Sequence, residues 1–134
     1  MENSKTSESK GIKIFLVDDD PQILGIYKKI LMSAGYFTIA VSSAQDALEI
    51  IGRGLTKVDL VVTDINMPGI NGIELYQKVK EYRPELTDKI IFVTGGVFPD
   101  EMAELLDRIP NPKLIKPLAA GELLKTVALI ASGK

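Results

Sequence analysis

Five short apolar runs, Ile12–Val17, Phe37–Val41, Val58–Thr63, Lys89–Thr94 and Lys113–Ile115, alternate along the chain with stretches of helical periodicity. Several runs place β-branched residues on consecutive positions. A strand with one wet face alternates apolar and polar residues, whereas a strand buried on both faces does not. The runs therefore predict a parallel sheet covered by helices on both sides. The first helical stripe is Ile23, Ile26, Tyr27, Ile30 and Leu31, opened by Asp20 as N-cap and Pro21 as first helical residue, and closed by Gly35. Ser43 and Asp46 read as a capping box for a second helix ending near Gly52. Ile73, Tyr76 and Val79 mark a third helix, stopped before Pro84. Met102, Leu105, Leu106 and Ile109 mark a fourth that ends at Pro110, and Leu123, Leu124, Val127 and Ile130 a fifth.

Five strands alternating with five helices predict an α/β fold, a flavodoxin-like doubly wound parallel sheet of order 2-1-3-4-5. The chain's 134 residues suit one domain with a core that needs no staples. Residues 1–10, MENSKTSESK, are too polar to bury and read as a disordered tail, leaving 11–134 as the domain, with no room for a second.

Composition removes several classes of function. With no cysteine and no histidine, disulfides, thiolate or imidazole metal sites and a Ser-His-Asp triad are excluded, and the chain cannot donate from a phosphohistidine of its own. A net charge of -2, no Trp and 6% aromatics argue against nucleic-acid binding, which needs basic faces or stacking platforms. No apolar stretch approaches the ~20 residues of a membrane span, and the N-terminus lacks the apolar core of a signal peptide. A cytoplasmic location is expected.

Asp18, Asp19 and Asp20 follow the first strand directly, and Asp64 follows the third. In an open parallel sheet, ligands bind beyond the carboxyl ends of strands where the strand order reverses, and strands one and three are neighbours there. Asp20, before Pro21, has the simpler role of capping a helix. Asp18 and Asp19 would face Asp64 across a few ångströms. Carboxylates that close repel, and one must take up a proton unless a hard cation compensates them. Mg²⁺ suits a site with few carboxylates. Thr94 ends the fourth strand and Lys116 the fifth. Taken alone, Thr94 is a β-branched strand residue and Lys116 a solvated end. Four polar strand ends at one edge are not explained that way, and together they can bind a phosphoryl group.

These residues resemble the receiver domain of two-component response regulators. The resemblance lies in Val17-Asp18-Asp19, the run Asp64-Ile-Asn66-Met67-Pro68-Gly-Ile-Asn-Gly72, Thr94-Gly95 and Lys116-Pro117, and it extends from about Gly11 to Ser132. It implies that Asp64 accepts a phosphoryl group from a phosphohistidine on a sensor histidine kinase or histidine phosphotransfer protein. Asp18 and Asp19 would hold Mg²⁺ together with Asp64 and the backbone carbonyl of Asn66. Lys116 would pair with a phosphoryl oxygen. Thr94 would shift toward it and report phosphorylation to the surface of helix four, strand five and helix five. The chain would be a signalling domain rather than an enzyme, a monomer or weak dimer, standing alone or forming part of a hybrid histidine kinase.

One position departs from the family pattern. Receivers usually carry Tyr or Phe three residues before the lysine, and here that residue is Lys113, in the stiff segment Ile109-Pro110-Asn111-Pro112-Lys113. Gly95 and Gly96 predict an open approach above Thr94 and a short phosphoryl lifetime. A second reading is a haloacid-dehalogenase-type phosphatase with Asp18 as nucleophile in an Asp18-x-Asp20 motif. It lacks the usual Thr, since Gln22 stands there, and leaves Asp64 without a role. A flavin carrier fits worse, because three carboxylates would repel the FMN phosphate.

Overall fold

The computed structural model describes residues 11–54, 57–96 and 98–133, so the expected tail at 1–10 lies outside the described residues. The elements run β1 (Lys13–Val17), α1 (Pro21–Ser33), β2 (Phe37–Val41), α2 (Ala44–Arg53), β3 (Leu60–Asp64) and α3 (Gly72–Tyr82), then a 3-10 turn (Pro84–Lys89), β4 (Ile90–Thr94), α4 (Asp100–Arg108), β5 (Lys113–Ile115) and α5 (Ala120–Ala131). The strands form one sheet of order β2-β1-β3-β4-β5. All four pairings are parallel. This is the doubly wound arrangement the alternating pattern requires, and it places the ends of β1 and β3 side by side.

The central strands are buried on both faces because each face meets its own helix layer. Ile14, Leu16, Leu60, Val62, Ile91 and Val93 pack with Leu24, Tyr27 and Leu31 of α1 and Leu123 and Val127 of α5. Phe15, Val17, Val61 and Phe92 face the other way, onto Ala47 and Ile51 of α2, Ile73, Tyr76 and Val79 of α3, and Leu106 of α4. Strand β2 has the same chemistry, FTIAV, but lies at the sheet edge and is only half buried, with Phe37 59% exposed.

Several local boundaries differ from the sequence reading, each for a physical reason. Asp46 leaves the Ser43 cap one-sided: the Ser43 hydroxyl accepts the Asp46 N–H, and no reciprocal bond forms. The two-sided capping box stands at α3 instead, where Asn71 accepts from the Glu74 N–H and the Glu74 carboxylate accepts from the Asn71 N–H. Helix α2 runs on to Arg53 and closes at Gly54, whose φ of 66° suits glycine. Pro84 begins a 3-10 turn that buries Leu86, so β4 starts at Ile90 rather than Lys89. Among the described residues, no helix is long and apolar enough to cross a membrane.

Candidate functional site

The carboxyl ends of β1, β3, β4 and β5 bring four polar residues to one edge of the sheet. Asp18 follows β1, Thr94 is the last residue of β4, and Lys116 follows β5. Asp64 is not beyond its strand, as the sequence suggested, but is the last residue of β3, in register with Val93. The ladder thus fixes its backbone. The Thr63 hydroxyl adds a bond to the Asp64 carbonyl at 2.9 Å. On the other side, Gly72 donates its N–H to the Ile65 carbonyl at 2.9 Å. A Cβ on Gly72 would lie 2.8 Å from the Ile65 Cα and closer still to the Asp64 carbonyl oxygen. Glycine is therefore required for α3 to begin this close to the end of β3.

Asp18 and Asp64 are buried, at 2% and 7% exposure, whereas Asp19 faces solvent. The expectation of three acids leaning inward thus holds for two, since successive side chains of an extended segment point to opposite sides. Each of the three still offers an oxygen within 4.8 Å of the others. Asp18 Oδ1 accepts the Asp20 N–H at 2.9 Å, and its Oδ2 accepts from Lys116 Nζ at 3.2 Å. Asp64 Oδ1 accepts the Ile65 N–H at 2.9 Å and lies 3.5 Å from Lys116 Nζ. No hydrogen bond from the described residues falls on Asp64 Oδ2.

Burial pushes the Asp64 carboxyl above the usual carboxylate range, and Asp18 and then Asp19 push the same way, against the pull of Lys116 and the Ile65 N–H. Lys116 shows the complementary balance. Burial works against its charge, but Asp64 and Asp18 outweigh it, and the ammonium is held more firmly than in water. One lysine therefore neutralises part of a cluster that carries more negative charge than it can match. The donor set, two buried carboxylates and a third at the rim with only oxygen ligands, fits Mg²⁺.

The two glycines after Thr94 are exposed, as an open approach requires, and each also lets another side chain come close. A Cβ on Gly95 would lie 3.1 Å from Lys116 Cβ, and one on Gly96 would lie 2.6 Å from the Asn66 side-chain nitrogen. Their role is close approach: Gly95 makes room for the stem of Lys116, and Gly96 for the exposed Asn66. The Gly96 N–H also points to the Thr94 hydroxyl at 3.4 Å. Tyr27 of α1, a core residue of the first apolar stripe, also stands near this edge. It is buried, and burial raises its phenol, with Lys116, Asp18 and Asp64 close enough to act on it. A cleft of about 520 Å³ opens beside it, lined by Ile23, Ile26, Tyr27, Gly95, Lys116, Pro117 and Leu118. Lys113 stays half buried, its ammonium donating to the carbonyls of Ile109 and, at 3.1 Å, Asn111.

A profile of the response regulator receiver domain matches residues 14–128 of this chain. The chain belongs to the response regulator receiver family. It is a phosphoacceptor signalling domain, and the phosphatase alternative has no support from any of these likenesses. This receiver is 32% identical over 122 residues to the response regulator protein FleR of Pseudomonas aeruginosa, covering 91% of this chain and 25% of FleR. It is 29% identical over 128 residues to the sensor histidine kinase RcsC of Salmonella typhi, covering 95% of this chain and 13% of RcsC. The chain thus spans a small part of these longer proteins. Among solved structures, a CheY-like receiver from Methanospirillum hungatei superposes with a TM-score of 0.80 at 29% identity, covering 91% of this chain and 94% of the other. A receiver from Clostridium thermocellum gives the same TM-score at 25% identity, with 91% and 95% covered.

Proposed function

We propose that Asp64 is the phosphoacceptor of this receiver and that Asp18, Asp19, Asp64 and the Asn66 carbonyl hold Mg²⁺. The observation that carries this reading is the geometry around Asp64: three carboxylates within 4.8 Å of one another, with Lys116 Nζ 3.5 Å from Asp64 Oδ1. When bound, Mg²⁺ supplies the positive charge that neutralises phosphoryl oxygens. Asp64 Oδ2, which carries no hydrogen bond from the described residues, attacks the phosphorus of a phosphohistidine. An O–P bond forms, the P–N bond breaks, and the imidazole leaves with the electron pair and takes up a proton. Lys116 moves its ammonium from Asp64 Oδ1 to a phosphoryl oxygen, keeping its tie to Asp18. The Thr94 hydroxyl exchanges its weak contact with the Gly96 N–H for a stronger bond to the new dianion.

The donor is a sensor histidine kinase or histidine phosphotransfer protein. The cleft beside Lys116 supports this reading, because its apolar walls of Ile23, Ile26, Pro117 and Leu118 give a partner a dry seat next to the acceptor. The domain works in the cytoplasm, as a monomer or weak dimer, within a stand-alone regulator or a hybrid kinase. It catalyses its own phosphorylation from small phosphodonors and its own dephosphorylation, and no other reaction.

Incubation with Mg²⁺ and acetyl phosphate, followed by intact mass, tests the assignment. Gain of one phosphoryl group, lost in Asp64→Asn and lost on chelating Mg²⁺, is expected. Retention of the gain in Asp64→Asn, with its loss in Asp18→Asn, would move the nucleophile to the end of β1.

A further inference from the structure

Helix α4 is attached to the fold unevenly. Leu106, in its last turn, is its one buried residue, and the following Ile109 is buried too. Beyond the helix, the Lys113 ammonium donates to the carbonyls of Ile109 and Asn111, meeting the negative end of α4 with a positive charge. The Asn111 side chain is buried and donates to the carbonyls of Thr87 and Ile90, both at 2.8 Å. The Phe92 N–H takes the Pro112 carbonyl at 3.0 Å. Pro110 and Pro112 bring no N–H to this segment and restrict its backbone. The C-terminal end of α4 is thereby tied to the 3-10 turn, to β4 and to β5.

Among the described residues, the other end is held by half-buried apolar contacts alone. Phe98 and Met102 pack on the core only in part, Pro99 at the N-cap position provides no side-chain hydrogen bond, and Asp100 and Glu101 are exposed. Thr94 lies just upstream, at the phosphoryl site.

We infer that Lys113 and Asn111 clamp the C-terminal end of α4, so that phosphorylation swings the N-terminal half of the helix about that fixed point. Lys113 takes the place at which an aromatic ring would move, and its two carbonyl bonds hold β5 still. The change reaches the surface at the groove between α3 and α4, where Asn71, Ile73 and Gln77 face Pro99, Met102 and Leu105, instead of spreading over α4, β5 and α5. This differs from the output face the resemblance implies, and it rests on the assignment of Asp64 as phosphoacceptor.

Amide chemical shifts of the full chain, recorded with Mg²⁺ before and after adding beryllofluoride, test it. The expected changes in the wild type include Asp64, run from 94 into the first turns of α4 and die out by Ile109. In Lys113→Met, which keeps the apolar stem, they spread into 109–115. Hydrogen exchange at the Ile109 amide is expected to be about tenfold faster in that variant without any ligand, as for loss of a bond from a charged donor. Shifts of equal size at 94–101 and 109–115 in the wild type overturn the pivot alone, as does unchanged exchange in Lys113→Met. No shift at Asp64 itself overturns the phosphoacceptor assignment and the pivot with it. Asn111→Ser, which shortens the amide to a hydroxyl, is expected to reproduce the spread, and a wild-type pattern in both variants also overturns the pivot.

Discussion

Asp18 and Lys116 are 98 residues apart in sequence and 3.2 Å apart in space, Oδ2 to Nζ. The carboxylate is buried and the ammonium half covered, so the pair is not a surface ion pair of negligible worth. It also counts twice, because the same ammonium faces Asp64.

Removing that ammonium leaves two buried carboxylates facing each other. Lys116→Met is expected to lower metal-free stability at neutral pH by about 1–3 kcal/mol, the range for breaking a partly buried charge pair. Added Mg²⁺ should recover much of the loss, while phosphorylation stays slow. Denaturant melts with and without Mg²⁺ check the first part, and intact mass the second.

The Asp64 carboxyl has its own signature in pH. Burial and Asp18 raise the Asp64 carboxyl in the folded state, so the folded protein binds its proton more tightly than the unfolded chain does. That contribution to stability is fully present below the ordinary carboxylate range and is lost as pH rises through the raised value. Asp64→Asn should therefore melt a few degrees above the wild type at neutral pH without metal, with the gap closing in acid. An equal gap at both ends of the scale would contradict the sign. Lys116 works oppositely in range: its raised ammonium stabilises throughout neutral pH, and that stability is lost only as pH rises past the ordinary lysine value.

Gly72 is the position where one methyl group should do most damage. Its Cβ would meet backbone, the Ile65 Cα at 2.8 Å and the Asp64 carbonyl, and neither can rotate away. Gly72→Ala is expected to cost about 2–3 kcal/mol, as for overpacking, and to slow phosphorylation by displacing the acceptor strand end. Melting temperature and acetyl phosphate kinetics read the two effects separately.

The capping box at α3 is a milder case. Asn71→Ala removes both the side chain that accepts the Glu74 N–H and the partner geometry of Glu74. A loss of about 1 kcal/mol is expected from thermal melts, with Asn71→Asp retaining most of the stability.

The strand order and the polar edge could be read from residues because burial on two faces leaves a mark on composition. Leu60, Val61, Val62 and Thr63 are all buried, as their consecutive apolar character demands. The same logic overstates Phe37–Val41, since an edge strand can carry core-like residues and only its neighbours decide what covers them. Asp18 and Asp19 look equivalent as letters, but side-chain direction, which sends one inward and one to solvent, depends on where β1 ends. The Asn71-x-x-Glu74 cap is legible as an amide followed three residues later by a glutamate, just ahead of the apolar stripe of Ile73, Tyr76 and Val79. The close approaches at Gly95 and Gly96 leave no mark in the sequence. They depend on Lys116 and Asn66 approaching from other loops, and no local pattern records such a meeting.

That four strand ends build the site has a consequence for when it can exist. Asp18 comes with the first strand, Asp64 with the third, Thr94 with the fourth, and Lys116 only after the fifth has docked against β4. A chain still emerging, or one with β5 detached, holds paired carboxylates but lacks the lysine that offsets them. With Asp64 as the proposed acceptor, the ability to take a phosphoryl group is withheld until the sheet is complete, and the chemistry inspects the fold before the signal can be written on it.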